Sequence, residues 1–415
     1  MSAPPKYIKI NGISKLNPAY TASQGQKPTA SPAALPVVST MDDYSAFNES
    51  NLVSGRREVP LSDSTESTLE IMQQEDITRK VGVATDEMVD GMQKIFAKYE
   101  VPMGLMNKLM ELGEFDILDF MIDDSGSMTL TTDALTDGGQ RMTRWDEAFT
   151  RMKEIVEVLS YVPVQTIRIK FLNRRDIISV TRTGETPLEF KNNLDRQLDS
   201  MKSRSPNGTT PVLACLQESM TNGRGKRVAR YFFGDGEPNS GEKGKIIDLV
   251  CYRQNPESNP ITFMSCTNDD SQVLWMKDLE ERGPYVAELD DFSDEKAEVL
   301  GDQGEALPYT RGFHIICQLV AAINPEDLDA MDESIPFTKY SLDNLLGVVS
   351  SNEDYDHYFK CFCSAQKTRK IEDGKDNFKR NWDWSAYKAE FYNAKSQKDI
   401  RRIDEFKSQL QSVRV

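Results

Sequence analysis

Histidine is nearly missing from this chain: its 415 residues contain two, His314 and His357. That scarcity removes most zinc chemistry and most imidazole-based catalysis from consideration. His314 lies in an apolar helical stretch beside Phe313, and His357 joins Cys361 and Cys363 in an H-x₃-C-x-C pattern with no evident fourth ligand. Neither sits in the strand-turn-helix setting of a hydrolase nucleophile. A phosphate-binding P-loop is also missing. Gly241-Glu242-Lys243-Gly244-Lys245 fails both its spacing and its hydroxyl, so the chain is not expected to hydrolyse nucleotides.

Long apolar runs are absent as well. No stretch approaches the roughly 18 residues of a membrane span, and the N-terminus lacks the apolar segment of a secretory signal, so a soluble, cytoplasmic protein is expected. The six cysteines, at positions 215, 251, 266, 317, 361 and 363, lack the density of a disulfide scaffold and read as reduced thiols. Excess positive charge is lacking too: 50 Lys and Arg face 66 Asp and Glu, a net −16. Phosphate backbones are held by clustered Lys and Arg, so the balance argues against nucleic acid and for a protein partner.

Four regions can be read. Residues 1–74 are rich in Pro, Ser, Thr, Ala and Gln, and predict a disordered low-complexity tail. Residues 75–114 predict a helical hairpin, with Met88, Met92, Ile95, Phe96 and Tyr99 on one face after a Thr85 cap, and Leu105, Met106, Leu109, Met110 and Leu112 beyond Pro102. Residues 115–325 alternate strand and helix, the pattern of a doubly wound, mostly parallel α/β sheet flanked by helices. Strands are expected at 117–122, 165–172, 177–180, 228–233, 261–266 and 285–289. Helices are expected at 144–162, 211–220, 245–253, 271–281 and 309–323, the first capped by Thr143 and the last stopped by Pro325. Residues 326–415 predict a mainly helical extension. It opens on the acids Asp327, Asp329, Asp332 and Glu333, and is basic towards its end through Lys367, Arg369, Lys370, Lys379, Arg380, Arg401 and Arg402. Trp382, Trp384, Tyr387, Phe391 and Tyr392 make it aromatic, for packing onto the body or for docking a partner.

The chemistry is concentrated in three loops. Asp123-Asp124-Ser125-Gly126-Ser127 follows the first sheet strand and sets a carboxylate and two hydroxyls on one tight turn. Asn207-Gly208-Thr209-Thr210-Pro211 precedes a helix, and Gly234-Asp235-Gly236-Glu237-Pro238 follows a strand. Such hard oxygen donors suit Mg²⁺ or Mn²⁺, and loops at the carboxyl ends of strands around a switch point form the ligand crevice of a doubly wound sheet. Between the first loop and its helix, Met128 to Met142 reads as a polar loop in which Asp133, Asp137 and Gln140 could shape partner choice.

This D-x-S-x-S loop, with its threonine and its second aspartate, resembles the von Willebrand factor A (integrin I-like) family over roughly residues 115–299. The resemblance implies an intact metal-ion-dependent adhesion site at Asp123, Ser125, Ser127, Thr209 and Asp235. Ser125 and Ser127 would coordinate through their hydroxyls, Thr209 directly or through water, and the two aspartates mainly through water. One position would be left for an Asp or Glu of a partner. Gly234 departs from the family, which often has Thr or Ser there. The expected function is non-enzymatic, metal-dependent protein interaction. The alternatives are an accessory subunit of an ATPase or other enzyme assembly, such as a chelatase-type ring, and a metal-dependent hydrolase, which no evident general base supports.

Overall fold

The computed structural model describes residues 7–10, 13–16, 86–135, 138–267, 269–323, 331, 335–368 and 384–394. The expected tail, residues 1–74, falls outside them apart from one antiparallel pair, β1 (Tyr7–Ile10) and β2 (Ile13–Leu16), with Tyr7 opposite Leu16. Thr85, Asp137, the acids at 327, 329, 332 and 333, Trp382, Arg369, Lys370, Lys379, Arg380, Arg401 and Arg402 also lie outside the described residues.

Helices α1 (Asp86–Tyr99) and α2 (Gly104–Met110) flank Pro102, as the periodicity predicts. The chain then enters β3 (Ile117–Ile122), whose six residues are all buried. A small hairpin follows, of β4 (Thr131–Leu135) and β5 (Arg141–Thr143), and leads into α3 (Arg144–Leu159). The segment from Met128 to Met142, expected as a loop, therefore carries paired strands, with Thr131 opposite Thr143 and Leu135 opposite Arg141. Its short, polar strands have too little apolar alternation to be read as strands; pairing within a hairpin holds them.

Strands β6 (Thr166–Phe171) and β7 (Ile177–Thr181) come next, then α4 (Pro187–Lys202) and α5 (Val212–Asn222). Strand β8 (Val228–Gly234), α6 (Lys243–Cys251), β9 (Ile261–Ser265), α7 (Asp270–Arg282) and β10 (Val286–Leu289) complete the sheet region. Helix α8 (Phe292–Gln303) and α9 (Arg311–Val320) close it, and α10 (Lys339–Leu346), α11 (Asn352–Thr368) and α12 (Lys388–Asn393) follow. Sequence periodicity did not single out α4 or α8. The α4 start is nonetheless well signposted, because Thr186 and Glu189 form a reciprocal capping box with Pro187 in the first turn.

The six sheet strands lie in the order β10-β9-β8-β3-β6-β7. All neighbours are parallel except the edge strand β7, which runs antiparallel to β6. The chain winds outward from β3 through β6 to β7, then returns to β8 on the other side of β3 and winds out to β10. This is a doubly wound α/β sheet with its switch point between β3 and β8.

Strand alternation separates two apolar layers. Leu118, Phe120 and Ile122 of β3, with Tyr231 and Phe233 of β8, join one buried cluster with α3, α4 and α9. Met121 and Phe232 point the other way and join α5, α6 and α7 through Leu216, Ile246 and Met276. The first cluster also takes in Phe96 and Leu109 from the leading helices and Phe359, Phe362, Trp384 and Phe391 from the trailing ones. Trp384 meets Phe362 edge-on at 5.4 Å, and Phe391 lies 6.1 Å from Phe359, so these C-terminal aromatics pack onto α11. Each fully buried ring contributes on the order of 1.5–3 kcal/mol.

Candidate functional site

The carboxyl ends of β3 and β8 lie side by side, and the loop after each carries an aspartate. The Asp123 amide donates to the Phe233 carbonyl at 2.8 Å, continuing the ladder one residue past the strand. Its side chain then turns back, with Oδ1 accepting the Ser125 amide at 2.7 Å. Ser125 leads into a 3₁₀ turn, Gly126–Thr129, that sets Ser127 beside it with the two hydroxyl oxygens 3.0 Å apart. The Ser127 hydroxyl donates to Asp235 Oδ1 across the strand ends at 2.9 Å. Asp123, Ser125, Ser127 and Asp235 thus form one continuous set, and all but the half-buried Ser127 are at most 2% exposed.

Thr209 joins through its backbone. The Gly126 amide donates to Gly208 O at 3.2 Å, and Asn173 Nδ2 donates to Thr209 O at 2.8 Å, which ties the third loop to the first and to the turn after β6 while the Thr209 side chain stays exposed. Gly208 has a φ of +114°, and a Cβ there would stand 2.6 Å from the Asn173 side chain, so only glycine fits. Gly234 is similarly constrained: a Cβ would meet the Phe232 ring at 2.3 Å. Buried ring packing excludes a threonine or serine at that position.

Four participants, Asp124, Asn173, Arg174 and Arg144, were not picked out from the sequence. Asp124 is buried and accepts both the Asn173 amide, at 2.8 Å, and Asn173 Nδ2, at 3.1 Å, while pairing with Arg174 Nε at 3.1 Å. Arg174 in turn donates to the carbonyls of Met201, Arg204 and Ser205 and lies over the Trp145 ring at 5.2 Å, which fixes the approach to the Thr209 loop. Arg144 donates from Nη1 to Asp235 Oδ2 at 2.7 Å and from Nη2 to Thr267 Oγ1 at 2.8 Å. Adjacent acids at 123 and 124 are the one sequence signal for Asp124. Arg144 reads simply as a first helical residue, and its target is 91 positions away.

The electrostatics of the site are unbalanced. Burial, followed by the charge of Asp235, pushes the Asp123 carboxyl up to about 7. Asp123 Oδ2 is buried with no hydrogen-bond partner. An unpartnered buried carboxylate oxygen beside a second carboxylate and two hydroxyls is a donor set suited to a hard divalent cation. Clusters of three or more His, Cys, Asp or Glu side chains placed to hold a metal do not occur among the described residues. The candidate set differs in kind, with hydroxyls supplying part of the shell.

Outside this site, His357 Nε2 and Cys361 Sγ lie 3.8 Å apart on α11, and His314 is buried between Tyr309 and Gln318. All six cysteines are free. No described helix is long and apolar enough to cross a membrane.

No family model and no curated protein matches the chain. Among solved structures, a mutant of the PilB minor pilin from Streptococcus sanguinis is similar at 11% identity, over 44% of this chain and 58% of that one, with a TM-score of 0.31. The chain thus spans little more than half of that structure's length, and a likeness of this size says nothing about function.

Proposed function

We propose that this chain is a von Willebrand factor A-type interaction protein that holds Mg²⁺ or Mn²⁺ at Asp123, Ser125, Ser127, Thr209 and Asp235 and binds an acidic residue of a partner protein there. The observation that carries the reading is the hydrogen-bonded set linking Asp123, Ser125, Ser127 and Asp235 across β3 and β8, with Asp123 Oδ2 buried and unpartnered. An ion bound there would supply the positive charge that a partner's carboxylate needs. The strand order supports the same reading, because it sets the two aspartates on the loops that border the switch point. Six free cysteines fit a reducing, cytoplasmic setting.

The chain's own residues have distinct tasks in this reading. The Ser127 proton points to Asp235, so Ser125 donates in the contact between the two hydroxyls, which leaves both Ser125 lone pairs and one of Ser127 for a cation. Asp124 and Arg174 hold the loops in register rather than binding the ion. Thr209, exposed on its own loop, is the donor whose position can respond to a partner.

Calorimetric titration with Mg²⁺ and Mn²⁺ tests the reading on the wild type and on Asp123→Ala, with circular dichroism to check the fold. Saturable binding in the wild type and none in a folded variant is the expected result. Affinity capture in Mg²⁺ and again in chelator then tests the partner. A folded wild type that binds neither ion overturns the metal reading, and a partner held equally in chelator overturns ion-dependent docking.

A further inference from the structure

Both oxygens of Asp235 are engaged, one by the Ser127 hydroxyl and the other by the Arg144 guanidinium. The Asp235 side chain is fully buried and that of Arg144 is 13% exposed, so the pair has left most of its water and attracts strongly. The seat is nonetheless incomplete. Arg144 Nε is buried with no hydrogen-bond partner, which costs free energy wherever a donor is stranded. Across the site, Asp123 Oδ2 is stranded in the same way. One resident positive charge thus compensates one of two neighbouring carboxylates and leaves the other unmet.

The backbone that carries the guanidinium is held independently of Asp235. Arg144 is the first residue of α3, its amide is tied to the Leu130 carbonyl at 2.8 Å, and the next turn is capped by Thr143, whose hydroxyl accepts the Asp146 amide at 3.0 Å. With the backbone held at both points, a change at Arg144 acts on Asp235 and Thr267 through the side chain alone.

We propose that Arg144 is a built-in counter-cation of the Asp123–Asp235 site, which competes with a divalent ion for Asp235 and sets how tightly that ion is bound. The inference rests on the metal reading above. In the absence of the ion, the guanidinium holds the Asp235 side chain in place. When the ion enters, two positive groups face one carboxylate, and their repulsion weakens ion binding. Arg144 is a positioning residue, and it lowers affinity while preserving the geometry of the site.

The test compares Mg²⁺ and Mn²⁺ titrations of the wild type, Arg144→Gln and Arg144→Lys. The glutamine variant removes the charge and should bind Mn²⁺ roughly tenfold or more tightly, as expected for relief of like-charge repulsion at a few ångströms in a partly screened site. The lysine variant keeps the charge and should stay near the wild type. A merely structural role predicts the opposite, since a loosened site binds more weakly. If the glutamine variant binds no tighter than a wild type that does bind, the competition is overturned and the metal reading stands. If neither folded protein binds, both are overturned. Should the glutamine variant not fold, guanidinium NMR of the wild type decides, with Arg144 assigned through the lysine variant. Mg²⁺ should shift the Arg144 Nε signal and speed its proton exchange, and a signal unmoved by saturating ion overturns the proposal.

Discussion

Arg168 on β6 grips Asp119 on β3 through two hydrogen bonds of 2.8 and 2.5 Å, between residues directly opposite in the parallel ladder. On the other side of Asp119 its ladder partner is Arg230 of β8, which is 1% exposed and reaches the same carboxylate through the Ser219 hydroxyl. Burial lowers the Arg230 guanidinium to about 10, against the pull of Asp119. The carboxylate is thus the shared partner of two cations beneath the apolar sheet. Asp119→Ala leaves both without it and should cost about 3–5 kcal/mol in urea unfolding. Asp119→Asn keeps an acceptor and should cost less. Equal, small losses in the two variants would show that the network is not a stabilising one.

The two site aspartates should respond differently to removal in chelator. Mutual repulsion alone predicts that either alanine variant is neutral or stabilising, and this holds for Asp123, whose Oδ2 is unpartnered and whose charge is penalised by burial. It fails for Asp235, because its loss strands the Arg144 guanidinium. Asp123→Ala should therefore change stability by less than about 1 kcal/mol or raise it, and Asp235→Ala should lower it by roughly 2–4 kcal/mol. Thermal melting of both variants without divalent ions checks the difference, and a matching shift in the two would refute the asymmetry.

Glu295 on α8 makes stability depend on pH. Burial raises its carboxyl to about 8 from an ordinary 4.5, helped by the charges of Asp290, Glu298 and Glu280 and opposed by a hydrogen bond from the Asp290 amide. Between those two values the folded chain keeps a proton that the unfolded chain has released, so this group's contribution falls as pH rises through that window and is constant above it. Glu295→Gln removes the effect while keeping an acceptor for the Asp290 amide, which it receives at 3.2 Å. The variant should match the wild type near pH 4.5 and exceed it by about 1–2 kcal/mol at pH 8.5, a figure reduced for the partial exposure of the side chain. Denaturation midpoints at the two pH values give the comparison, and parallel curves would contradict it.

Gly208→Ala should damage the site more than the fold. Its backbone sits at a φ of +114°, and the added methyl would press on the Asn173 side chain that ties Asp124 to the Thr209 loop. A cost of about 1–3 kcal/mol is expected, with Mn²⁺ affinity reduced at the same time. Gly241→Ala has a similar φ of +80° but open space around its Cβ, so it serves as a control that carries backbone strain alone. Equal Mn²⁺ affinity in the two variants would separate loop position from ion binding.

Much of the α/β layout was legible because its signals are local. Ile117–Ile122 is a short apolar run, Arg144 follows a threonine cap, and both features show in a few consecutive residues. The candidate ligands were legible for a related reason: each lies in a compact loop rich in Asp, Ser, Thr and Gly. Helix α4 escaped although Thr186 and Glu189 supply a capping box, since its buried face rests on Phe190, Leu194 and Leu198 among many polar residues. The hairpin of β4 and β5 escaped because its strands are short and mostly polar, and cross-strand pairing is invisible in a linear pattern.

The amino-acid sequence by itself determined where the six sheet strands and most of the helices lie and which oxygen-bearing side chains stand in the three loops, because caps, apolar periodicity and turn residues act over a few positions. Only the tertiary structure decided that Asp123 and Asp235 share one hydrogen-bonded set, that the leading and trailing helices bury their apolar faces in the same cluster as the sheet, and that Arg144 closes onto Asp235. These are contacts between residues far apart in the chain: 108 positions for Ser127 with Asp235, 91 for Arg144 with Asp235 and 211 for Tyr99 with Thr310. Their formation depends on strand order and on the burial of charge, and neither is encoded in any single stretch of the chain.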